Sequence, residues 1–330
     1  MLTLNAAKYS LYYTIPIKIR GLPILERSLG FTGSPHNRTK LGVYGVSPYN
    51  IALFQMPPKV VVFDLDETLG YFSQLGQFWD ILSSYLKSKN IPLTQQEFIE
   101  LLNLFPEFLR PNIFSILNYL KHKKERKHCQ GVMLYTNNQA PRSWATFIVE
   151  YLNNKITYRL FDQVISAFKV NGKRIEMCRT TNEKTVGDFI KCTKLPINTE
   201  ICFLDDVYHP EMIGDNVYYI KVNPYVYNLP FDEMVERFVR SDLAKDLLGQ
   251  EKNTHDFQSF VKVYLETSHF FYIEKTKEEY EIDKIVSKKT MILLQDFFKK
   301  SWNETTQKVR HRVKGKRGVT KRKSDNTFTH

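Results

Sequence analysis

Four short runs are apolar throughout and constrain the fold more than anything else in the chain. They are Val-Val-Val-Phe at 60–63, Val-Met-Leu-Tyr at 132–135, Ile-Cys-Phe-Leu at 201–204 and Val-Tyr-Tyr-Ile at 217–220. Each is rich in β-branched or aromatic residues and lacks polar alternation, as a strand buried on both faces requires. Residues 161–166 form a weaker fifth candidate. Between the runs lie helical patterns at 111–124, 141–153 and 182–193. Pro111 and Pro141 stand where a first helical turn tolerates proline. Strands that alternate with helices predict an α/β, Rossmann-like parallel sheet with helices on both faces.

Additions flank this core. Residues 78–108 read as a helical insertion of two helices split near 90–94, and a partial lid is one expectation for it. Beyond Pro230 come helical patterns at 231–248, 256–267 and 288–302. The expected organisation is an N-terminal extension at 1–58, a core at 59–240, a helical extension at 241–305 and a basic tail at 306–330. The tail lacks an apolar period and is expected to be disordered.

Charge and cysteine usage narrow the setting. The net charge is +12, but nine cations without an acid stand between Lys308 and Lys323. The basicity therefore belongs mainly to the tail, which offers contacts to a polyanion or nucleic acid. No apolar run is long enough for a transmembrane helix, so no membrane partner is expected. Cys129, Cys178, Cys192 and Cys202 fit no zinc spacing. They read as free thiols in a reducing compartment, hence cytoplasm or nucleus.

In open parallel sheets, ligands bind outside the carboxyl ends of the strands. Here Asp64-Leu65-Asp66 follows the first run, Thr136-Asn137 the second and Asp205-Asp206 the third. In extended chain, residues i and i+2 point the same way, so Asp64 and Asp66 face one pocket. Four acids at one sheet edge call for a hard cation, and Mg2+ takes carboxylate oxygens together with substrate phosphate. A carboxylate can also act as the nucleophile of phosphoryl transfer, with a second one moving the proton.

The segment Val-Val-Val-Phe-Asp64-Leu-Asp66-Glu-Thr68-Leu69 resembles the first motif of haloacid dehalogenase superfamily phosphatases. It is most similar to the NLI-interacting-factor-like and small C-terminal-domain phosphatases. Leu134-Tyr135-Thr136-Asn137 resembles their second motif, Phe203-Leu204-Asp205-Asp206 the fourth, and Leu109-Arg110-Pro111 an Arg-Pro element. The resemblance implies Asp64 as nucleophile and metal ligand. It implies Asp66 as general acid/base with its main-chain carbonyl on the metal. Thr136 and Asn137 then bind the phosphoryl group, and Asp205 and Asp206 complete the acidic metal site, where relatives have Asp-Asn. Lys184 best fits the lysine that offsets the charge of the phospho-aspartate, with Lys169 and Lys173 as rivals. Arg110 is a candidate substrate contact and His209 a weaker site candidate.

The expected function is a magnesium-dependent phosphomonoesterase working through an aspartyl phosphate on phosphoserine or phosphothreonine in proteins. The alternatives are a nucleic-acid end phosphatase, served by the basic tail, and a non-catalytic binding module on the same fold.

Overall fold

Residues 56–249, 251–267 and 272–299 are described by the computed structural model. The N-terminal extension as far as 55 and the basic tail lie outside the described residues. Five strands form one wholly parallel sheet: β1 Lys59–Phe63, β2 Gly131–Tyr135, β3 Phe161–Ile165, β6 Glu200–Asp205 and β7 Val217–Lys221. Their spatial order is β3-β2-β1-β6-β7. Two further strands, β4 Lys169–Val170 and β5 Lys173–Arg174, make a hairpin around Asn171-Gly172, both with positive φ. All four apolar runs and the weaker fifth candidate are strands of the sheet. The protein has a Rossmann-like α/β fold with a helical C-terminal extension.

The lack of alternation has a direct cause. Val61 and Phe63 of β1 enter the larger apolar cluster, while Val60 and Val62 enter the smaller one on the other face. The central strand is thus buried on both sides. Helices α1 Ser73–Ser88, α2 Gln95–Asn103, α3 Ile113–Glu125 and α4 Arg142–Lys155 contribute to the larger cluster. So do α6 Phe231–Val239, α7 Asp242–Leu248, α8 Glu251–Thr267 and α9 Lys277–Lys299. Helix α5, Val186–Thr193, covers the other face through Phe189 and Cys192.

The two-helix insertion is part of this packing. α1 lies against α8, and α2 against α4 and α7. Phe78 of α1 is fully buried among the rings of Phe105, Phe231, Phe238 and Phe257. Burying one such side chain contributes roughly 1.5–3 kcal/mol. The insertion and the C-terminal helices are therefore stabilised together.

Several boundaries differ from the sequence pattern, each for a capping reason. Helix α3 starts only after Pro111, at a left-handed Asn112 cap (φ 60). Pro141 caps α4 from outside. Helix α5 begins at Val186 because the Thr185 hydroxyl accepts from the Asp188 N–H. The pattern at 231–248 is two helices, since the Ser241 hydroxyl accepts from Ala244 N–H and starts a new one. Helix α9 starts eleven residues before 288, where Thr276 and Glu279 cap each other reciprocally.

The cysteine expectation is corrected. Cys178 and Cys192 form a disulfide, with Cα atoms 5.0 Å apart. The chain folds back after β5 and lays Cys178 beside the last turn of α5, a proximity that a 14-residue separation does not reveal. Cys129 and Cys202 are free and buried. No helix among the described residues is long and apolar enough to cross a membrane.

Candidate active site

The strand order reverses direction in sequence between β1 and β6, which opens a crevice at their carboxyl ends. Residues that leave these two strands meet there. Phe63 is level with Leu134 of β2 and Leu204 of β6. The next residues, Asp64, Tyr135 and Asp205, thus share one level, and the Asp64 N–H donates to the Leu204 carbonyl at 2.9 Å. Asp64, Asp205 and Asp206 bring one carboxylate oxygen each within 4.8 Å of one another.

Lys184 ties the cluster together. It stands two residues before α5, fully inside the protein, and its Nζ donates to Asp64 Oδ1 at 2.5 Å and Asp205 Oδ2 at 2.7 Å. The rivals Lys169 and Lys173 are exposed on the β4–β5 hairpin. Burial works to lower the Lys184 pKa, but Asp64 and Asp205 outweigh it and hold the ammonium above its usual range. Burial pushes Asp64 up to about 7, although Lys184 pulls the other way. Burial also works against an ionised Asp205, yet the hydrogen bond from His209 and the charge of Lys184 keep it below the usual carboxylate range. Asp206 is raised by burial and by its neighbour Asp205.

Asp66 lies apart from the three clustered carboxylates. Its Oδ2 accepts from the Asn138 side-chain amide at 2.7 Å, and burial raises its pKa. Thr136 is buried at the end of β2, and its Oγ1 accepts from the Asn138 N–H at 3.0 Å. Asn137 is half-buried beside it. The hydroxyl of Thr68 donates to Asp206 Oδ1 at 3.0 Å, and its oxygen accepts the Asp206 N–H at 3.1 Å. An open hollow of about 100 Å³ adjoins Thr136 and Asn138, walled by Ala140, Pro141, Ala145 and Ala167.

The guanidinium of Arg110 is directed at the backbone. Its Nε donates to the Thr68 carbonyl at 2.6 Å, and its Nη2 to the carbonyls of Glu67 at 2.5 Å and Asn223 at 2.8 Å. It braces the turn that carries Asp66. Glu67 in that turn is left-handed, with φ 57. His209 is buried, with Nε2 3.4 Å from Asp205 Oδ2.

Two positioning residues carry no sequence signal of their own. Asn138 holds both Asp66 and the Thr136 hydroxyl. Arg179 is fully buried against the Tyr135 ring, 4.8 Å from its centroid. It donates to the carbonyls of Thr136, Ser166, Asn182 and Glu183. It therefore joins the β2 end to the segment that delivers Lys184. A buried arginine in a polar stretch has no periodicity to announce it, and Asn138 looks like any turn asparagine.

Three carboxylates and no sulfur or imidazole make an oxygen-only cluster, suited to a hard cation. The buried Asp cluster could bind a metal ion. Comparison with family models, with curated proteins and with solved structures finds no match for this chain.

Proposed function

We propose that the chain is a magnesium-dependent phosphomonoesterase of the haloacid dehalogenase type, acting through an aspartyl phosphate at Asp64. One observation carries this reading: the Lys184 ammonium held between Asp64 and Asp205 at a parallel-sheet switch point, with Asp206 alongside. A structural ion pair needs one carboxylate. Three around one buried lysine leave the negative charge in excess, which is the state a cation and a phosphoryl group would complete.

The residues take the following roles. Asp64, Asp205 and Asp206 would hold the magnesium ion, which supplies positive charge beside the phosphoryl oxygens and favours the ionised form of Asp64. The Asp64 carboxylate attacks phosphorus, so that an Asp64 O–P bond forms as the bond to the leaving oxygen breaks. Asp66, whose carboxyl burial holds above its usual range, gives that oxygen its proton. Asp66 then takes a proton from water, whose oxygen bonds to phosphorus and releases Asp64. The Thr136 hydroxyl donates to a phosphoryl oxygen, and Lys184 offsets the charge on the acyl phosphate.

The substrate class rests on access. The helical insertion spends its apolar faces on α4, α7 and α8. This packing supports an open site that admits phosphoserine or phosphothreonine on a protein.

The test is hydrolysis of para-nitrophenyl phosphate with and without magnesium, by wild type and Asp64→Asn. Magnesium-dependent turnover lost in the variant is the expected result. Phosphopeptides and 3′-phosphorylated DNA then separate a protein phosphatase from a nucleic-acid end phosphatase. Folded wild type that is silent on the whole panel with magnesium present would sink the reading in favour of a binding module.

A further inference from the structure

We infer that the amino edge of the sheet is a docking surface for single-stranded nucleic acid, centred on the carboxyl end of α3. Residues 121–128 read Lys-His-Lys-Lys-Glu-Arg-Lys-His, with a single acid. A charged helix end is usually a solvated face, and cations are favoured there by the helix dipole. Three features go beyond that.

The segment is fixed in place. Lys121 donates to the Ile156 carbonyl, and Lys124 to the Leu160 carbonyl and the Asp162 carboxylate. These bonds lock the end of α3 to the loop before β3. The stems are committed, while Arg126 and Lys127 are exposed and have no acidic partner among the described residues.

The patch also has shape and an aromatic floor. Tyr119, His122, Lys123 and Arg126 line an open hollow of about 250 Å³. The Lys123 ammonium lies over the rings of Tyr119 and Phe298, 5.3 and 5.4 Å from their centroids. Cations beside aromatic faces suit a nucleic-acid strand, whose phosphates and bases take one each.

Finally, α9 ends on this patch. The Phe298 and Tyr119 rings lie 6.0 Å apart. In sequence, the nine cations of 308–323 follow this end of α9. No large apolar side chain between 113 and 165 is exposed. A surface that lies in a membrane buries such side chains, so charge complementarity favours nucleic acid over lipid.

The docked strand is an anchor and not the substrate. β2 runs from this edge to Thr136, and five residues span roughly 17 Å. The acidic cluster is thus at the opposite end of the sheet.

The experiment is fluorescence anisotropy of a labelled oligothymidylate titrated with the full chain across a salt series. The variant is Lys123→Ala, Arg126→Ala and Lys127→Asn together, with asparagine at 127 because φ there is 58. Loss of three phosphate contacts is expected to lower the single-strand salt slope by about 2 and weaken binding about 100-fold at 0.1 M salt. Residual binding then belongs to the tail. An unchanged melting temperature shows that the variant is folded, and Arg126→Glu alone serves if it is not. Equal affinity and slope in wild type and variant would overturn the proposal. So would tighter binding to phosphatidylserine vesicles than to the oligonucleotide.

Discussion

Replacing Lys184 with methionine tests the charge arithmetic of the acidic cluster without creating a hole. The side chain keeps its length and apolar stem and loses only the ammonium. Asp64 and Asp205 then face each other, both buried, with Asp206 adjacent and no cation between them. Removing one partner of a buried ion pair costs about 3–5 kcal/mol. For a domain of this size, that lowers the melting temperature by about 6–20 °C. Protonation tempers the loss. Asp64 has a native pKa raised from 3.8 to about 7, so the folded state binds a proton that the unfolded state has released. A raised carboxyl pKa costs stability as pH climbs from the unfolded value through the folded one. Without Lys184 that window extends further upward. The deficit of Lys184→Met is therefore expected to be larger at alkaline than at mildly acidic pH. The assay is thermal unfolding followed by circular dichroism, with a chelator present. Adding Asp64→Asn to the variant removes one of the opposed charges and is expected to recover part of the loss. Magnesium is expected to stabilise Lys184→Met more than wild type. A variant that melts with wild type in chelator at every pH would refute the idea that Lys184 neutralises the cluster. On the proposed reaction, the same substitution lowers kcat by about 10²–10³.

Two other perturbations probe the supports of the site. Asn138→Ala frees Asp66 from its side-chain amide and the Ala140 N–H from Asn138 Oδ1, while the backbone N–H that reaches the Thr136 oxygen stays, and kcat is expected to fall about 10²-fold with a small change in melting temperature. An unchanged kcat would remove Asn138 from the machinery. Opening the Cys178–Cys192 bridge, by dithiothreitol or by Cys178→Ser with Cys192→Ser, lowers the unfolding free energy by about 3 kcal/mol on loop-closure grounds. Guanidinium denaturation measures it, and a midpoint indifferent to reductant would mean the bridge contributes nothing.

The parts of this molecule legible in sequence are those where one local property decides the outcome. Burial on both faces removes alternation, so β1, β2, β6 and β7 stand out as apolar runs. Their carboxyl ends then point to Asp64, Thr136 and Asp205 by topology alone. Lys184 is reached through the resemblance, which implies a lysine beside the acids, and only its burial against Asp64 and Asp205 separates it from the exposed rivals Lys169 and Lys173 on the hairpin. Features fixed by distant contacts leave no such trace. Arg179 is placed by carbonyls from four residues of three segments. The early start of α9 depends on a cap whose value shows only once Asp283, Ser287 and Thr290 are buried against the core. The disulfide depends on where α5 comes to rest, which sequence spacing does not encode.

The consecutive aspartates at the end of β6 divide the work between them. Asp205 is the more deeply held. Its Oδ2 accepts from Lys184 and lies near His209, while its Oδ1 accepts the Val207 N–H at 2.8 Å. Both oxygens are engaged before any ion arrives, and its pKa is the one that is lowered. Asp206 is partly exposed, and its hydrogen bond from Thr68 engages Oδ1 only. Its raised pKa marks a carboxylate short of positive charge. A cation entering the crevice therefore gains most from Asp206 and from Asp64, whose ionised forms burial penalises, and least from Asp205, which Lys184 already compensates. An aspartate in place of the asparagine of the resembled motif thus adds charge at the position best able to offer it to an ion, while Asp205 keeps the lysine in place.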